Sequence, residues 1–259
     1  MKKNWHTLSS FFYRYRKSIL SILGIGLVFA IWWLLSLRYH NLAIPSPGET
    51  FKQVYVLLGQ KQTYVDIFSS LIRLFIAFSI SFLIGSLLGI LAGIYSWVYR
   101  FLRPLIITLR TLPTAAVILV FVTVMSSKEA PYYIVFLVVF PLVYEAMANG
   151  LKNIPNELML SLKLEGKNSL RSIFKIRIPL AAPYILLGIL QSLGLGMKVE
   201  IMSEILSGNM NLNGLGIAIK VFLRDVEMVN VFAYSVITIV IMGLIEGGLY
   251  LAKKRIKKN

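Results

Sequence analysis

Lys198, Glu200 and Glu204 fall together in a stretch, residues 180–206, that is otherwise apolar. An ionisable side chain at the centre of a bilayer costs about 3 kcal/mol, so such groups line a solute path, relay ions or neutralise one another. Glu200 and Glu204 are four residues apart and share a helix face, whereas Lys198 lies about 200° around the helix from Glu200. Lys198 therefore needs water or a partner on another span. Arg110, in the run Thr108 to Pro113, lies near the inner surface, where a long cationic side chain can reach out of the hydrocarbon. The residues that could line a solute path are thus Arg110, Pro113, Lys198, Glu200 and Glu204. Structural ion pairing is the competing reading for these charges and for Glu246 in the last apolar stretch.

Other chemistries are missing from the sequence. No GxxxxGK[ST] phosphate loop occurs, and Gly166-Lys167-Asn168 lacks both the upstream glycine and the hydroxyl. Neither a GxSxG nor an HExxH pattern is present. His6 and His40 have no partners at metal-ligand spacing, and the chain has no cysteine. No catalytic residue and no metal set is expected, and ATP hydrolysis is not expected of this chain.

The longest polar interval runs from Pro155 to Pro183, and the loop read around it, residues 150–179, carries Lys152, Lys163, Lys167, Arg171, Lys175 and Arg177. Pro155 is suited to start a short helix and Pro179 to stop a second, with Gly166 permitting a turn between them. Leu160, Leu162, Leu164, Ile173 and Phe174 would then offer apolar contacts to another protein, and the cations would steer an acidic rim toward them. The same features suit a loop resting on anionic lipid.

These residues need elements to position them. Of the 259 residues, 57% are hydrophobic and 15% charged, and the mean hydropathy is +0.75. Such values exclude an ordinary soluble domain, and the net charge of +16 does not call for nucleic acid because the cations sit in alternating loops. Six spans are drawn, at 18–37, 67–95, 104–125, 131–149, 180–206 and 229–252. The first is long enough to cross about 30 Å of hydrocarbon and is read as retained. With both termini inside, eighteen cations are cytoplasmic and seven are outside, namely Arg38, Lys52, Lys61, Arg73, Lys128, Lys220 and Arg224. The expected organisation is a basic segment 1–17, one all-α membrane domain 18–252 with an outer segment 38–66, and a basic tail 253–259. In the outer segment Pro45 and Pro47 predict extended chain, followed by a short helix over 49–58. Gly85, Gly89 and Gly93 continue from Ser81 at a spacing of four, which suits close helix packing within the chain or a dimer seam.

From Ile44 onward the chain resembles the integral membrane subunit of bacterial ABC importers, the binding-protein-dependent permease family. That family's inner loop has EAA, three residues, Gly, nine residues and then I-x-L-P. Here Gly166 is followed by nine residues and by Ile176-Arg177-Ile178-Pro179, while Leu160-Ser161-Leu162 replaces the EAA triplet. Ile44 to Pro47, Ser70 to Arg73, the glycine series, Pro104 with Arg110 to Ala116, and Ser203-Glu204 with Gly214-Leu215-Gly216 match the nitrate, sulfonate and taurine branch in order. Leu119 and Met197 depart from it.

The resemblance implies a type I ABC importer transmembrane fold in the bacterial plasma (inner) membrane. It implies an ATPase-coupling role for Leu160, Leu162, Lys163, Glu165, Gly166, Ile173, Phe174, Ile176 and Pro179. The implied partners are two ATP-binding subunits, which would carry the ATP and Mg, an external solute-binding protein and a second permease copy. This chain would bind no cofactor of its own and no nucleic acid. The solute implied is a small organic anion such as a sulfonate, or a small heteroaromatic such as a thiamine-precursor pyrimidine. On residue chemistry alone, an ion-driven transporter using Lys198, Glu200 and Glu204, or a membrane scaffold docking a partner through 150–179, remain the alternatives.

Overall fold

Apolar stretches fold as helices here because a backbone surrounded by hydrocarbon must satisfy its own N–H and C=O groups. The computed structural model describes residues 5–39, 44–155, 157–158, 160, 172–207 and 210–256, and no strand occurs among them. The helices are α1 (Trp5–Tyr39), α2 (Pro47–Leu58), α3 (Lys61–Ile94), α4 (Ser96–Thr111), α5 (Thr114–Val124), α6 (Ala130–Lys152), α7 (Ile178–Ser207), α8 (Leu215–Arg224) and α9 (Met228–Ile256). Among the described residues five helices are long and apolar enough to cross a bilayer, or six crossings if α4 and α5 together make one.

Two expected boundaries need correction. The stretch 104–125, drawn as one span, is two helices bent by 89°. Leu112 and Pro113 both take extended backbone, because proline has no N–H to donate and disfavours helical geometry in the residue before it. The outer helix begins at Pro47 rather than at residue 49. Ser46 caps it: Glu49 N–H donates to Ser46 Oγ (3.2 Å), and Ser46 N–H donates to Glu49 Oε2 (2.9 Å). This reciprocal box leaves Pro47 at the first helical position, where a missing N–H costs nothing.

The centre of the protein is α3, α6 and α7, packed through Leu74, Ala77, Val135, Val139, Val143 and Met197, with Tyr234 of α9 against them. The glycine ladder of α3 lies on α6 of the same chain. A Cβ on Gly89 would come within 2.6 Å of the Tyr144 carbonyl oxygen and 2.7 Å of Met147 Cβ. On Gly93 it would meet Leu151 Cβ at 2.8 Å, and on Gly85 Val143 Cβ at 3.0 Å. Of the two roles considered for this face, it is the intrachain one that the packing fills. We expect Gly89→Val to destabilise the protein by about 1–3 kcal/mol, because the obstructing atom is backbone and overpacked cores relax poorly. Thermal denaturation of the detergent-solubilised variant checks this, and an unchanged midpoint would contradict the packing described.

At one end of the helix bundle, Gln53 of α2 donates to Asn230 Oδ1 (2.6 Å), and Trp32 Nε1 donates to the Pro45 carbonyl (3.1 Å). Trp32 also stacks on Phe232, with ring centres 6.0 Å apart. Beyond these contacts most described side chains of α1 are exposed. At the other end Leu151, Ile154, Ala181 and Ile185 join the end of α6 to the start of α7. Pro179 does not stop a helix as the sequence suggested. A π-helical turn, Ile173–Arg177, runs into α7, and Ile178 N–H bonds to the Ile173 carbonyl. The wider turn precedes the proline, which cannot supply an N–H to the helical ladder.

Candidate functional site

Ser70 and Arg73 project from one face of α3, together with Asp66 one turn earlier. Glu200 and Glu204 project toward them from α7. These elements place a closed polar cluster inside an otherwise apolar protein. Arg73 Nη2 is paired with Glu204 Oε1, and its Nε lies 3.1 Å from Oε1 of both Glu200 and Glu204. Ser70 Oγ is 2.7 Å from Glu204 Oε1 and accepts the Leu215 N–H at 2.8 Å. Gly216 N–H donates to Glu204 Oε2 (2.7 Å), and Arg73 Nη2 donates to the Asn213 carbonyl (2.8 Å). The Glu204 carboxylate thus sits at the amino-terminal end of α8, where backbone N–H groups and the helix dipole favour a negative charge.

Asp66 extends the network. It accepts bonds from the Gly214 N–H (3.2 Å), Gln62 Nε2 (3.1 Å) and the Tyr234 hydroxyl (3.0 Å), which brings α9 into the same joint. Glycine at 214 and 216 follows from the crowding. A Cβ on Gly214 would lie 2.8 Å from Glu204 Cδ, and one on Gly216 would lie 2.7 Å from Glu204 Cβ.

Three motifs that are separate in sequence therefore meet at one place: Ser70 to Arg73, Ser203-Glu204 and Gly214 to Gly216. The sequence reading counted Arg73 among the outer-segment cations without a partner; it is largely buried and paired with both glutamates. The signal that could have identified it is the small and polar stripe Thr63, Asp66, Ser70, Ala77 and Ser81, which is buried along α3. Glu200 and Glu204 were also expected as solute-path candidates. Their side chains are wholly buried, which puts them in the protein interior rather than along an open path in this conformation.

Lys198, Arg110 and Pro113 are placed differently. Lys198 is exposed on the face of α7 opposite Glu200, in a row with Leu187, Gln191, Leu195 and Met202. Arg110 is half exposed and paired with Glu145 of α6, a charged residue inside an apolar stretch that sequence reading passed over. The pair borders a cleft of about 200 Å³ at the break between α4 and α5, lined by Arg110, Leu112, Thr114, Leu142 and Leu195. Pro113 forms the break itself and, standing at the N-cap of α5, has no side-chain group to cap its first N–H groups. Lys198 lies one turn beyond Leu195 on the exposed row of α7. Glu246 stands over a groove of about 450 Å³ between α7 and α9, beside Gln191, Gly243 and Tyr250.

Of the loop residues, Leu160 and Phe174 are 61% and 62% exposed, Ile173 is buried, Ile176 is half-buried and Pro179 is exposed. Leu162, Lys163, Glu165 and Gly166 lie outside the described residues.

Residues 85–258 match the family model described as "binding-protein-dependent transport system inner membrane component". Over 237 residues the chain is 24% identical to a probable ABC transporter permease protein of Brucella melitensis biotype 1, covering 91% of this chain and 94% of the relative. It is 26% identical over 240 residues to the nitrate import permease protein NrtB of Synechocystis, covering 88% and 84%. Among solved structures, an inward-facing conformation of the MetNI methionine ABC transporter superposes with a TM-score of 0.66 at 16% identity, over 75% of this chain and 96% of that one. The fold is therefore that of a type I ABC importer membrane subunit.

Proposed function

The chain belongs to the binding-protein-dependent transport system inner membrane component family, and from that premise we propose that two copies of it form a pore passing a small anion. As a member, it is a multi-pass inner-membrane permease subunit of an ABC importer and a transport subunit rather than an enzyme. In our reading, separate ATPase chains carry the ATP and Mg, one docking on each copy at 150–179, and an external binding protein delivers the solute. The observation that carries the docking assignment is the Gly166 to Pro179 spacing, flanked by the exposed side chains of Leu160 and Phe174. An apolar surface of this kind beside a run of cations suits a cleft with an acidic rim.

Support for an anion comes from the cleft and its surroundings. Arg110 borders it, the uncapped amino-terminal end of α5 adds partial positive charge, and Lys198 is exposed nearby on α7. The relationship to a nitrate permease agrees with this sign of charge. A small sulfonate fits the same chemistry better than a neutral heteroaromatic, which gains nothing from cations. Lys198→Ala is expected to raise the KM for uptake about tenfold, the effect of losing one charge-assisted contact. Reduced expression with unaltered kinetics would instead assign Lys198 a structural role.

The decisive experiment is purification of the tagged chain in mild detergent, with identification of co-purifying proteins and an ATPase assay. A stoichiometric P-loop ATPase, lost when residues 160–176 are mutated, is the expected result. A chain that transports solute alone after reconstitution would overturn the proposal.

A further inference from the structure

Two arginines pair with glutamates across helices in this protein, and they are held differently. The Arg73 side chain is 13% exposed and is bound through several contacts to carboxylates with no exposure at all. Arg110, near the end of α4, is 47% exposed, and its partner Glu145 of α6 is 28% exposed. The pair meets through Nη1 and Oε2 alone, and among the described residues the Arg110 guanidinium makes no other hydrogen bond. A guanidinium carries a fork of N–H donors, so this contact leaves most of them free. Arg110 also lines the cleft of about 200 Å³ at the break between α4 and α5. So do Val138 and Leu142, which precede Glu145 by two turns and one turn on the same face of α6. Apart from Arg110 and Thr114, the side chains lining the cleft are apolar.

A cation beside apolar walls is costly without a counter-charge, and that holds at every stage of a transport cycle. A site that conducts must also bind weakly enough to let its ion go. A carboxylate in single contact with the guanidinium meets both needs. Between solutes it neutralises Arg110, and with an anion in the cleft it remains close enough to repel it. Arg110 and the exposed Lys198 attract a doubly charged anion twice as strongly as a singly charged one, and the repulsion from Glu145 doubles in the same way. We propose that Glu145 is a specificity-determining residue of this cleft, the counter-ion that yields Arg110 to a singly charged oxyanion and offsets the pull of the cations on doubly charged ones. The inference rests on the anion reading of the cleft given above and adds to it the residue that sets the charge of the anion.

The test titrates the full chain in phosphatidylcholine nanodiscs with methanesulfonate and with sulfate, oxyanions of similar size that differ in charge. Ionic strength is fixed with potassium gluconate, and apparent Kd values are read from the saturable rise in melting temperature. Glu145→Gln should tighten methanesulfonate about threefold and sulfate about tenfold, the factor for one water-screened unit charge at about 6 Å and its square. Glu145→Asp, which keeps the charge, should retain the wild-type ratio of the two constants, and Arg110→Gln should lose saturable binding of both anions. The pair is partly exposed, so these variants should still fold. A purely structural ion pair predicts a lower melting temperature for Glu145→Gln without anion and an unchanged ratio of the constants. That result would overturn this inference and leave the anion reading standing. Absence of a saturable shift with either anion, in wild type and Glu145→Gln alike, would overturn the anion reading and this inference with it. Saturable binding that survives Arg110→Gln would put the anion elsewhere and overturn the role of Glu145 as well.

Discussion

Glu204→Ala should all but abolish recovery of folded protein, although the residue touches no solute path in this conformation. The substitution leaves Arg73, whose side chain is 13% exposed, without its main counter-ion. It also strips the Ser70 hydroxyl and the Gly216 N–H of their acceptor. Removing one partner of a buried pair costs about 3–5 kcal/mol, a large share of the roughly 5–15 kcal/mol by which proteins of this size are stable. Glu200→Gln should be far milder. Among the described residues Glu200 engages Arg73 through Oε1 alone, and its buried Oε2 has no hydrogen-bond partner. Fluorescence-detected size exclusion after heating would rank the two variants. Equal melting points for wild type and Glu204→Ala would show that the cluster does not hold the helices together.

The second large effect is expected at the opposite surface. Phe174→Ala should weaken retention of the ATPase about 30-fold, as truncation of a buried aromatic anchor at an interface commonly does. Because Phe174 is exposed in the isolated chain, its removal should leave the melting temperature unchanged, and that separates a contact defect from a folding defect. Gly166→Pro should uncouple solute uptake from ATP hydrolysis by fixing the turn between the two halves of the loop. Unimpaired ATPase retention and solute-stimulated hydrolysis in both variants would refute the docking role.

The membrane spans were legible because apolar runs of sufficient length have few other fates. The ladder of Gly85, Gly89 and Gly93 announced a close contact, but nothing in its spacing says which helix supplies the other side. The ion pairing of Arg73 was not legible for a physical reason: charge counting assigns a side to a cation and says nothing of its partners. Its burial depends on two carboxylates more than a hundred residues away, a relation that no local window contains. Glu145 was missed in the same way, its charge hidden in an apolar run and matched by Arg110 across a helix pair. The bend at Leu112-Pro113 was readable in principle, since proline and its predecessor both resist helix; the apolar run on either side masked it.

One mechanical consequence follows from α3. This helix of 34 residues is about 51 Å long, well beyond the roughly 30 Å of hydrocarbon. Its carboxyl-terminal part is seated on α6 by the glycine ladder, and Arg73, about 30 Å away along the axis from Gly93, is locked to α7 and α8. Such a helix behaves as a lever with a rivet near each end. A tilt of about 5° carries one rivet about 3 Å relative to the other, as much as the length of a hydrogen bond. The Arg73 joint must therefore travel as a block, and force applied at the Gly93 end of α3 arrives there as displacement of several helix ends at once.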